Sequence, residues 1–139
     1  MIYHWEGQDG VAPLAAAIHL GYLPSRVETE AELRFWLRQA LPLRKGVNTR
    51  ERGVLFLMGR GRQGEEVYTL ATGKKPDLVL KTIERFLPLL GEDPLNYHFV
   101  DCSRTALQRY RTSKEAGDQG LSGWYNAIGR LVREVQRSL

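Results

Sequence analysis

Ile2-Tyr3-His4-Trp5-Glu6-Gly7-Gln8-Asp9-Gly10 is the stretch on which the reading of the whole chain turns. Apolar and aromatic positions run into a glycine loop, and Pro13 then opens an alanine-rich helix that extends to Gly21. A strand, a glycine turn and a helix in that order begin an α/β domain, and the helix start is where such domains hold anionic ligands. Yet no Lys, Ser, Thr, Cys or His stands between Trp5 and Pro13. The scaffold of a site is present without its usual chemistry.

Downstream of this loop, Thr29 and Glu32 form a capping-box pair for a second helix. Its Leu33, Trp36, Leu37, Ala40 and Leu41 repeat with helical spacing, and Pro42 ends it. Val54 to Met58 is a continuous apolar run that predicts a strand buried on both faces. Glu66 to Ala71 resumes β character after a glycine-rich turn, so the two runs predict an antiparallel hairpin. Pro76-Asp77 starts a helix with Leu78, Val79, Ile83, Phe86, Leu87 and Leu90 on one side, and Pro88 should break its last turn. Tyr97 to Asp101 is the last strand candidate. Helices follow from Thr105 to about Lys114 and, with Ser122 as a cap, over Trp124, Ile128, Leu131, Val132 and Val135.

The order β-α-α-β-β-α-β-α-α predicts a three-layer α/β domain, a single unit over residues 1–139. Its mixed sheet of about four strands is flanked by helices, with the first and last strands parallel to a neighbour. With 42% hydrophobic and 26% charged residues the chain has the composition of a soluble globular protein. It shows no signal-peptide pattern and no apolar run of membrane-spanning length. The single cysteine, Cys102, fits a reducing compartment, so the expectation is a cytoplasmic protein without a membrane partner.

The net charge of +4 is unevenly spread. Residues 1–33 hold Arg26 against five carboxylates, whereas residues 34–62 hold eight Lys and Arg against Glu51 alone. A basic middle segment could meet an acidic partner, a nucleic acid or a phosphorylated ligand, but a solvated helix face with two basic loops is the reading preferred for it.

A phosphate loop needs glycines for backbone approach, a Lys for the phosphates and a Ser or Thr for magnesium. Gly7 to Ala12 supplies the glycines alone, and Glu6 and Asp9 add negative charge where a phosphate would sit. Backbone amides around Gly7, Gly10, Val11 and Ala12 are what remains for an anionic ligand. Cys102 lies between a strand and a helix, but the sixth position after it is Gln108 and arginine comes at Arg109, so it reads as an inert thiol. His4, His19 and His98 have no metal-ligand spacing, and no metal or cofactor is expected. His4 and His98, both inside strand candidates, could be sheet neighbours. Arg50, Arg52, Arg60 and Arg62 form the candidate basic surface, without interleaved aromatics for stacking on single strands.

Several blocks resemble a bacterial family known as domain of unknown function 3189. They are Ile2-Tyr3-His4, then Ala15 to Gly21 with Leu23-Pro24, and Met58-Gly59 with Glu66-Val67-Tyr68. Val79 to Leu90 and Phe99-Val100-Asp101 fit more loosely, and the likeness covers most of the first 102 residues. The family's first loop resembles Cys-aromatic-Gly-Gly-x-His-Ser-Ser. Here Trp5 stands at its Cys, Gly7 keeps the first Gly, Gln8 replaces the second, Gly10 replaces the His, and Val11 and Ala12 replace the serines. The resemblance implies a fold and no activity.

These readings lean away from an enzyme, with no catalytic residue named. The leading expectation is a non-catalytic domain that binds a protein partner or associates with itself. Two alternatives stand beside it: a phosphorylated-ligand or nucleotide-binding protein or enzyme using loop 6–13, and a nucleic-acid binder using residues 44–62.

Overall fold

The computed structural model describes residues 1–7, 10–39, 52–111 and 120–139. Its strands are β1 (Ile2–Trp5), β2 (Leu55–Arg60), β3 (Glu66–Ala71) and β4 (Phe99–Asp101). Five helices lie among the described residues: α1 (Val11–His19), α2 (Glu30–Gln39), α3 (Pro76–Phe86), α4 (Arg104–Gln108) and α5 (Gly120–Arg137). The sheet order is β2-β3-β1-β4, with β1 parallel to both β3 and β4, and β2 antiparallel to β3. This is the mixed four-stranded α/β sheet expected from the sequence.

Alternation along the strands assigns the two faces of the sheet. Tyr3 is in register with Thr69 and Val100, and Trp5 with Ala71. Tyr3, Trp5, Val67, Ala71 and Val100 share one apolar cluster with Ala12, Ala15 and Ala16 of α1 and Ile128, Leu131 and Val132 of α5. The alanines let α1 approach the sheet closely. Ile2, His4, Tyr68, Leu70, Leu55 and Leu57 face the other way, the side on which a right-handed β3–α3–β4 crossover places α3.

That second face is thinly covered. Ile2 and Leu70 are fully buried, but α3 has no buried residue, and of its apolar stripe only the following Leu87 is buried. The run at 54–58 was expected to be buried on both faces. It forms instead the edge strand β2, with Leu57 56% exposed. Its hydrophobicity reflects only partial cover on each side.

Termini of the helices follow local chemistry. Pro13 sits in the first turn of α1, where a missing N–H costs nothing. Glu32 N–H donates to Thr29 Oγ1 at 3.1 Å, and the Glu32 carboxylate accepts Glu28 N–H at 2.9 Å. Pro88 ends α3 at Phe86 and leaves a 3₁₀ turn at Leu87–Leu90, followed by another at Pro94–Asn96. Ser122 does not cap the last helix, which begins at Gly120; its N–H donates to the Glu30 carboxylate at 3.1 Å. The helix expected from Thr105 to Lys114 is described as α4 alone, and Ala40 to Glu51 lie outside the described residues.

Helix α5 lies against the connector before α2 by two devices. The Asn126 side chain accepts Val27 N–H at 2.9 Å and donates to Val27 O at 3.0 Å. Gly129 faces the Ser25 carbonyl so closely that a Cβ there would lie 1.8 Å from the oxygen.

Candidate functional site

In an open α/β sheet the ligand crevice lies beyond the C-terminal strand ends, between neighbours whose following helices go to opposite faces. Here those neighbours are β1 and β3. The backbone ladder continues past them: Thr72 N–H donates to Trp5 O at 2.8 Å and Gly73 N–H to Glu6 O at 3.0 Å. Gly7 turns the chain at φ +106°, and a Cβ on it would meet Arg52 Nη1 at 2.7 Å and Ala71 Cβ at 3.0 Å. A Cβ on Gly73 would lie 3.4 Å from Arg52 Cδ. The Arg52 side chain thus lies across the two glycine turns, and Gly7 is accounted for by packing against it.

Gly10, by contrast, opens onto a cavity. It is the residue before α1, at φ −92°, and Leu14 N–H donates to its carbonyl at 3.0 Å. With Val11 it lines a cavity of about 420 Å³ where α1, α2, α4 and α5 converge. The remaining wall is Leu14, Leu33, Leu37, Leu107, Leu121, Trp124, Tyr125 and Ile128, with Arg104 the one charged residue of the wall among the described residues. Arg104 is exposed and has no hydrogen bond or ion pair among the described residues. Arg111 lies over the Trp124 ring, 4.6 Å from its centroid. The Tyr125 hydroxyl donates to Pro24 O, and burial raises its pKa above the ordinary tyrosine value.

A second cavity, about 340 Å³, lies at the other end of α1, where Arg62, Gln63 and Arg133 surround His19 and Glu65. His19 Nε2 is 2.7 Å from Glu65 Oε1, and its Nδ1 is 2.7 Å from the Tyr3 hydroxyl. A ring that donates from Nε2 and accepts at Nδ1 satisfies all three groups. The bond from His19 holds the Glu65 carboxyl below its ordinary range, and burial pushes the Tyr3 hydroxyl up. The His19 side chain is fully buried, which makes this a structural chain rather than an open acid–base site.

The sequence candidates therefore divide. Gly7 packs under Arg52, Gly10 and Val11 line the cavity among α1, α2, α4 and α5, and Ala12 is buried in the core. Arg50 lies outside the described residues. Arg52 stands at one end of the β2–β3 hairpin, whereas Arg60, paired with Glu66 at 3.2 Å, and Arg62 stand at the other. A six-residue strand separates the two ends by about 20 Å. His4 is in register with Asp101, and His98 precedes β4, so the two histidines are not paired in the sheet. Among the described residues no group of His, Cys, Asp and Glu is placed to hold a metal ion, and no helix is long and apolar enough to cross a membrane. Sequence reasoning placed Trp124 on an apolar helix face but singled out neither Arg104 nor the cavity that the two line, because Arg104 stands in no motif and the wall is built from four helices.

The fold and this cavity define a small α/β domain with a parallel core and an antiparallel edge strand. The chain belongs to the family described as "Protein of unknown function (DUF3189)", whose model matches residues 1–113. That match runs from β1 through α4 and leaves α5, which supplies much of the cavity wall, beyond it. No curated protein and no solved structure matches the chain.

Proposed function

We propose that the domain acts by binding rather than catalysis, and that it associates with a second copy of itself through the outer face of α3. One observation carries this reading: Leu89, Leu90 and Leu95 are 79%, 74% and 86% exposed, beside exposed Leu78 and Phe86. Single exposed leucines are ordinary, but a run of large apolar side chains on one helix and its continuation favours an interface.

The charges flanking the run favour a second copy over an unrelated partner. Exposed Lys74 and Lys75 precede α3, and exposed Glu92 and Asp93 follow the 3₁₀ turn that extends it. Both placements oppose the helix dipole, which prefers anions at the start and cations at the end. A two-fold, antiparallel pairing of α3 with its copy would bring the lysines of each against the carboxylates of the other, with the apolar run between them. Asp93 also accepts Leu95 N–H at 2.9 Å, which steadies one of these carboxylates.

Sedimentation equilibrium tests the proposal. The wild type should be dimeric at micromolar to hundreds of micromolar concentration, and Leu89→Glu with Leu90→Glu should be monomeric with an unchanged fold. Lys74→Glu/Lys75→Glu should weaken self-association and recover it when mixed with Glu92→Lys/Asp93→Lys. A wild type that stays monomeric throughout would refute it.

A further inference from the structure

We propose that the cavity under the start of α1 is a binding site for a small monoanion with an apolar body, such as an acyl or aryl-alkyl carboxylate. The argument is independent of self-association, because the cavity and the outer face of α3 lie on opposite sides of the sheet.

The volume, about 420 Å³, lies in the range of small-molecule sites. Leu14, Leu33, Leu37, Leu107 and Ile128 offer no hydrogen-bond partner from their side chains, so the body of the occupant must be apolar. A sugar or nucleoside would leave its hydroxyls unpaired against these leucines. Trp124 adds a flat aromatic wall, backed on one side by Arg111.

The head group is specified by what remains. Tyr125 has its hydroxyl committed to Pro24 O. At the start of α1, Pro13 has no N–H and Leu14 N–H is bonded to Gly10 O. That leaves Arg104 as the charged group on the wall, unpaired among the described residues, with a planar fork that matches a carboxylate. Asp101, three residues before Arg104, accepts Ser103 N–H at 2.8 Å. The described carboxylates of α2 are likewise held by backbone donors, Glu30 by Ser122 N–H and Glu32 by Glu28 N–H. One guanidinium and an apolar wall suit a single negative charge on a hydrocarbon body.

Calorimetric titration of the full chain with octanoate, and in parallel with the neutral 1-octanol, reads the proposal. Octanoate should bind saturably and more tightly than octanol. Arg104→Gln should weaken octanoate roughly five- to twentyfold, as expected for loss of a charge-assisted contact, and leave octanol unchanged. Arg104 is exposed, so this variant should keep the wild-type melting temperature. Leu37→Trp, which fills the cavity, should abolish binding of both. Absence of saturable octanoate binding by the wild type would overturn the site. Equal affinity for the two probes, or an Arg104→Gln variant indistinguishable from wild type, would overturn the anionic specificity.

Discussion

Two residues carry more of this structure than their size suggests. Gly129 is not a flexible point, since it sits inside α5; it is a missing side chain at a close approach. The Cβ of an alanine would lie 1.8 Å from Ser25 O and 2.8 Å from its carbonyl carbon, both backbone atoms that cannot rotate away. Gly129→Ala should therefore destabilise the protein by about 1–3 kcal/mol or more through overpacking, despite the better helix propensity of alanine. A urea melt checks it, and an unchanged midpoint would mean α5 does not lie against the Ser25 connector. Thr69 presents the opposite case. Its Oγ1 is buried without a hydrogen-bond partner among the described residues, beside Tyr3 in the central sheet. Thr69→Val removes that unpaired oxygen and should stabilise by about 1 kcal/mol; a lower melting temperature would show that the hydroxyl has a partner after all.

At the scale of elements, how legible each one was followed from how local its cause is. The hairpin, the Thr29–Glu32 cap and the break at Pro88 are decided within a few residues, and each stands where the sequence puts it. The loop at Gly7 was readable as a turn, but the reason for its glycine was not. Arg52 arrives there from far along the chain, and no local spacing announces that. The cavity beside Gly10 was hidden for the same reason: four helices build it, and each alone reads as an amphipathic face. Helix α3 misled in the other direction. Its stripe of Leu78, Ile83, Phe86, Leu87 and Leu90 has the period of a core-facing helix, because periodicity reports an apolar side and not what covers it. Leu87 is buried and Leu90 is 74% exposed. Leu87→Ala should then cost about 2–4 kcal/mol as a core truncation. Leu90→Ala should stay within about 0.5 kcal/mol in dilute, monomeric protein. Equal costs in thermal melts would place both in one core and remove the exposed face on which self-association is argued.

The whole molecule should lose stability toward acid, by two steps of the same sign. Burial holds the His4 pKa below its ordinary value, with Asp101 pulling weakly the other way. The unfolded histidine takes up its proton near about pH 6.5, before the folded one does, so below that pH the unfolded state binds more protons and is favoured. Glu65 acts lower on the scale. Its folded pKa lies below the ordinary 4.5, chiefly through the bond from His19. The stability this bond contributes is complete above the unfolded value and is lost as pH falls through the folded one. Free energies of unfolding from urea melts should thus decline from about pH 6.5 downward, and decline again in the carboxylate range. Replacing His4 by Gln should flatten the first decline and leave the second, when each protein is compared with its own value at alkaline pH. Glu65→Ala should do the reverse. If the His4→Gln profile kept the full slope near neutrality, the burial of that imidazole on the α3 side of the sheet would be wrong, and with it the three-layer packing that places α3 over Ile2, His4 and Leu70.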